Sequence, residues 1–159
     1  MKKFIFALAA VAAVAFAGCS KENEEEQTGS QLSETENRLV GKWEVYKVES
    51  EEHWAGQTYY GEEEYGSNAE NRNVTTFERN RKGTIETWYR RDYTNGWEKN
   101  PTERFTWSLS GNVLTIAYDD GGYDRAEVKT LTDDRLVLVI EYAEDDWRMI
   151  DNVYYNKVK

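Results

Sequence analysis

The chain holds one cysteine, one histidine and one proline among its 159 residues. A single cysteine excludes an internal disulfide, so packing and strand pairing must hold the folded part together. A single histidine, His53, leaves no imidazole set of the kind that usually holds zinc. It also leaves a Ser-His-Asp or Cys-His arrangement only this one residue to use. His53 stands beside Trp54 in a segment without regular patterning, as an exposed loop residue would. Positive charge is scarce as well: 20 Lys and Arg face 30 Asp and Glu, a net charge of −10. Phosphate backbones are held by clustered cations, so nucleic acid is excluded as a partner. No Gly-rich phosphate loop follows a strand, and carboxylate pairs carry little information in a chain with 30 acids. The loop Asp119-Asp-Gly-Gly-Tyr-Asp124 lacks the spacing and closing glutamate of an EF-hand. The expectation is a protein that is not an enzyme, with no catalytic residue, no metal site and no cofactor.

Long apolar runs are missing too. The longest is Phe4 to Phe16, 13 residues, short of the roughly 18 that cross a bilayer. Lys2 and Lys3 precede it, and Ala17-Gly18 follows. Positive start, apolar stretch and small residues are the order of a secretory signal. Phe16-Ala17-Gly18-Cys19 resembles the lipobox of bacterial lipoproteins, with Phe16 departing at its most tolerant position. That resemblance implies cleavage after residue 18 and lipidation of Cys19, and thus a membrane partner through that residue. One acyl chain anchors only marginally, whereas two or more hold stably. The expected location is the bacterial outer membrane, on its periplasmic or cell-surface face. Loss of Lys2 and Lys3 with the signal takes the net charge from −10 to −12.

Residues 19 to 37 are polar and acidic, with almost no apolar surface to offset ordering entropy, and read as a disordered tether. Ser33 or Thr35 stands where it would cap a short turn over Glu34 to Leu39. From residue 38 onward the pattern has period two. Phe105-Thr-Trp107-Ser-Leu109, Leu114-Thr-Ile116-Ala-Tyr118 and Leu136-Val-Leu138-Val-Ile140 alternate cleanly, as half-buried strands do. Gly, Asn and Asp clusters separate the segments, and Asn95-Gly96 is the strongest hairpin signal among them. Eight strands are expected at about 40–50, 73–79, 84–93, 97–109, 113–118, 123–131, 136–142 and 147–158. Pro101, inside the fourth, predicts a bulge or an edge. The fold class is all-β: an eight-stranded antiparallel up-and-down barrel, closed so that no edge is left exposed.

Gly41-Lys-Trp43 at the start of the first strand resembles the Gly-x-Trp signature of the lipocalin superfamily. Phe77, Lys82-Gly83-Thr84, Phe105 to Leu114 and Leu131 to Leu136 are similar to lipocalin-like domains of bacterial lipoproteins. The resemblance covers roughly residues 38 to 159. It implies that Gly41 and Trp43 are structural, with Trp43 plugging the closed end beneath a basic residue of the last strand, Arg148 or Lys157. It also implies that many members bind small apolar ligands.

In a meander, alternate connections share one end of the barrel. The connections at 51–72, 94–96, 119–122 and 143–146 are acidic and bring together Trp54, Tyr59, Tyr60, Tyr65, Trp97, Tyr118, Tyr123 and Trp147. Those eight are the expected rim or ligand-binding residues, and 51–72 is the expected long loop over the mouth. Two functions follow. The barrel binds a small apolar or aromatic ligand, or it is filled and its rim touches a protein or glycan partner.

Overall fold

The computed structural model describes residues 31–90 and 96–159. The signal segment, Cys19 and most of the expected tether lie outside those residues, as does the turn expected at 94–96 apart from Gly96. A compact unit spans Gln31–Lys159, ahead of the expected start at 38. It begins with α1 (Glu34–Leu39). The strands are β1 (Gly41–Trp54), β2 (Gln57–Glu64), β3 (Asn71–Phe77), β4 (Lys82–Arg90), β5 (Trp97–Lys99), β6 (Glu103–Ser110), β7 (Val113–Tyr118), β8 (Tyr123–Leu131), β9 (Arg135–Glu144) and β10 (Trp147–Lys157).

These ten segments make eight staves of one antiparallel sheet. Sequential neighbours pair, and β10 returns to pair with β1, which closes the barrel. β2 and β3 are both antiparallel to β1, along its upper and lower halves, and form one stave interrupted at residues 65–70. β5 and β6 are likewise both antiparallel to β4, interrupted at residues 100–102 around Pro101. A proline cannot donate to the ladder, so a break there is the expected outcome.

The expected long loop at 51–72 is instead mostly strand. β1 runs on to Trp54, turns through Ala55 and Gly56, and returns as β2. Both turn residues have positive φ, 51° and 76°, which suits the twist of a two-residue hairpin. β2 is exposed along its whole length, so no buried face imposes alternation on its sequence. His53 accordingly sits in a strand, bridged to Glu51 at 2.8 Å and to Thr58 at 3.0 Å.

Two bulges shift the inward face. One falls between Val45 and Lys47, so Trp43 and Val45 point inward before it and Val48 after it. The other falls between Val128 and Thr130 on β8. An extra residue in one strand reverses the parity of every side chain beyond it.

One end of the barrel is closed. Trp43, Leu39, Leu114 and Leu136 are fully buried there, with Phe77 packed edge-on against Phe105 at 5.6 Å and Trp107 at 5.8 Å. Offset and edge-on aromatic pairs of this kind add to what area burial alone supplies. α1 lies across this end. Ser33 and Glu36 form a reciprocal capping box. Trp43 Nε1 donates to Leu39 O at 2.7 Å. Lys157, rather than Arg148, covers the Trp43 ring, its Nζ 4.8 Å from the centroid, and donates to Arg38 O at 2.9 Å. Arg148 pairs with Glu141 instead.

Candidate ligand-binding cavity

Above the aromatic floor the barrel is not filled. A cavity of about 210 Å³ lies between Phe77 and the mouth. Its wall is apolar on Val45 and Val48 of β1, Ile85 of β4, Ile116 of β7, Ala126 of β8, Leu138 and Ile140 of β9, and Val153 of β10. Tyr65, Tyr118, Tyr142 and Tyr155 add four rings, and Asn73, Thr75 and Asp124 add polar groups. Among the described residues no Lys, Arg or His lines it.

The sheet places these residues by parity. Leu136, Leu138, Ile140 and Tyr142 follow one another inward along β9, as do Asp124 and Ala126 on β8 and Val153 and Tyr155 on β10. Asp124 and Tyr118 flank the β7–β8 turn and face the same space. Tyr118 Oη donates to Asp124 Oδ2 at 2.7 Å. Asp151, register partner of Ser50, accepts from Ser50 Oγ at 2.6 Å.

Burial and carboxylates together keep the tyrosines protonated. Burial pushes the Tyr118 hydroxyl well above its ordinary value, and its hydrogen bond to Asp124 and that residue's charge push it further. Burial also raises Tyr142, with the charges of Asp124 and Asp151 adding to it. Tyr65 is pushed up to about 12 by burial and by Glu63, which accepts from its hydroxyl at 3.2 Å. Tyr155, at the base of the cavity, is raised chiefly by burial. Each cavity tyrosine is therefore a neutral donor-acceptor across the physiological range.

Of the eight residues expected at the rim, the cavity takes in Tyr65 and Tyr118. Trp54 and Trp147 are register partners far out on β1 and β10, and Trp147 Nε1 donates to Glu52 at 2.6 Å. Tyr59 and Tyr60 lie on the exposed β2, and Tyr60 keeps 78% of its surface in solvent. Trp97 lies on β5 with the Arg90 guanidinium 4.7 Å from its ring centroid. Tyr123 is 70% exposed beside the β7–β8 turn. Tyr142, Tyr155 and Asp124 do not stand out in the sequence, because no turn-borne cluster of aromatic residues marks them. The signal that finds them is continued alternation: each extends an inward row already marked by Leu138, Val153 or Ala126. Among the described residues no group of His, Cys, Asp and Glu is arranged to hold a metal ion.

No curated protein sequence matches this chain. Among solved structures it is similar to a lipocalin-like protein from Bacteroides uniformis, at 14% identity over 76% of this chain and 99% of that one, with a TM-score of 0.40. A protein from Bacteroides eggerthii is similar at 13% identity over 76% and 99%, with a TM-score of 0.38. Bovine odorant-binding protein, in complex with a selenium-containing odorant, is similar at 14% identity over 88% and 78%, with a TM-score of 0.44. The model of the lipocalin-like domain family matches residues 39–138, from the last residue of α1 into β9. With that span covering the Gly-x-Trp strand, the closed end and most of the cavity wall, the chain belongs to the lipocalin-like domain family.

Proposed function

We propose that this protein is a lipid-anchored binding protein of the bacterial cell envelope whose barrel holds a small, largely apolar or aromatic molecule, and that it is not an enzyme. The cavity is the observation that carries this reading. A dry apolar cavity of about 150 Å³ is large enough for benzene, so about 210 Å³ suits a one-ring molecule with a short side chain. Burial of its apolar surface against Val48, Ile116 and Ile140 supplies affinity, while the four tyrosines supply orientation. The other reading, a filled barrel that meets a protein or glycan through its rim, has no need of such a cavity.

Calorimetric titration of the mature protein with one-ring apolar compounds tests the reading. Binding is expected, and Val48→Phe, which fills the space, is expected to weaken it at least tenfold without unfolding the barrel. Equal binding by the filled variant would move the ligand out of the cavity. The anchor has its own test. Cys19→Ala is expected to release the protein from the membrane fraction, and mass spectrometry of the wild type is expected to show residues 1–18 gone and acyl mass on Cys19. A Cys19→Ala protein still bound to membranes would refute the anchor.

A further inference from the structure

We infer that the cavity selects a small organic cation: a protonated amine carried on a short apolar or single-ring body. This rests on the binding reading above and names the ligand class of the same site. Among the described residues the cavity wall contains one carboxylate, Asp124, and no basic side chain. Asp124 takes a hydrogen bond from Tyr118 on Oδ2, and no cation of the protein reaches it in an ion pair among the described residues. Tyr118 donates and stays protonated, so it orients the carboxylate without neutralising it. A second acid, Asp151, acts on the same space: its charge raises both Tyr65 and Tyr142. The potential inside the wall is therefore negative, in surroundings apolar enough to strengthen it.

A carboxylate facing an apolar cavity loses hydration when a neutral molecule displaces water, and a neutral donor replaces it only in part. A protonated amine replaces it with a charge-assisted hydrogen bond. The tyrosine faces add attraction for the same cation. An anion of equal size meets like charge from Asp124 and Asp151. The order of affinity should then be amine, neutral isostere, anion.

Three probes that share a phenylethyl body test this on the mature full-length protein: 2-phenylethylamine, 2-phenylethanol and the slightly larger 3-phenylpropionate, each titrated calorimetrically at pH 7. The amine is expected to bind about ten- to a hundredfold more tightly than the alcohol, the range of one hydrogen bond to a charged group, and the anion more weakly still. Asp124→Asn keeps an acceptor for Tyr118 and is expected to bring amine and alcohol to within about threefold of each other, chiefly by weakening the amine. Should this variant fail to fold, the wild-type order of the three probes decides alone. An amine no tighter than the alcohol overturns the inference but leaves the binding reading standing. A preference that survives Asp124→Asn overturns the role of Asp124. If no probe of any charge binds, the binding reading falls and the inference falls with it.

Discussion

Gly41 has a φ of 139°, and a Cβ there would stand 2.6 Å from Lys157 Cε. The residue is small so that the lysine stem can cross the backbone and bring its ammonium over Trp43. The Gly-x-Trp motif is thus one arrangement of three residues, of which the motif itself shows two; neither Lys157 nor Arg148 stands at a spacing that marks it as the third. Gly83 answers a different crowding. A Cβ at that position would run into the Phe105 ring and stand 2.5 Å from Thr76 O. Phe105 is held by Phe77 and cannot retreat freely. Gly83→Ala is expected to lower unfolding free energy by about 1–3 kcal/mol, the usual cost of overpacking a core. Denaturant titration checks it, and an unchanged midpoint would mean that the floor yields.

At the scale of the element, α1 is a six-residue helix that would not persist alone. Leu39 anchors it by burial, and Glu36 by polar contacts. Burial raises the Glu36 carboxyl, but the Ser33 backbone and hydroxyl and the Arg81 guanidinium outweigh that and hold it below the ordinary glutamate value. A depressed folded pKa means that its stabilisation is complete above the ordinary glutamate range and is lost as pH falls through the folded pKa. Glu36→Gln is therefore expected to be less stable than wild type near pH 7, with the difference fading in acid below pH ~4. Stability measured by denaturant from pH 7 into acid tests this; a gap that did not narrow as pH fell would assign the loss to shape rather than charge. The Ser33 cap was readable in the sequence because caps are local. Arg81 was not, since it reaches α1 from the β3–β4 turn. The strands divide in the same way. Those with one buried face, such as β6, β7 and β9, announce themselves by alternation. β2 has no buried face and so has no alternation to read. The bulges in β1 and β8 also break the pattern that a reader follows inward to the cavity.

The folded unit is graded from one end to the other. The lower parts of β1, β3 and β10 meet the buried floor. The upper parts of β1, β2, β9 and β10 extend past the cavity as paired strands with mostly solvated faces. Few apolar contacts support those upper hydrogen bonds, and such regions open locally well before global unfolding. Amide exchange is expected to be slow at Trp43 to Val45 and much faster at Glu51 to Trp54, within the same strand. Uniform protection along β1 would contradict the gradient. Eight staves, their order and their closure were legible because antiparallel neighbours need only short turns. The cavity was not, because its residues lie on seven different staves and no local window holds more than a few of them.

Leu32 and α1 bring the chain in at the closed base, and Val158 leaves beside it, its amide bonded to Lys42 O at 2.8 Å. Both ends of the folded unit are therefore on the side opposite the opening. A body attached at either end stands like a cup on its foot. For the experimenter, a dye, a bead or a sensor surface can be joined next to Lys159 without obstructing the brim.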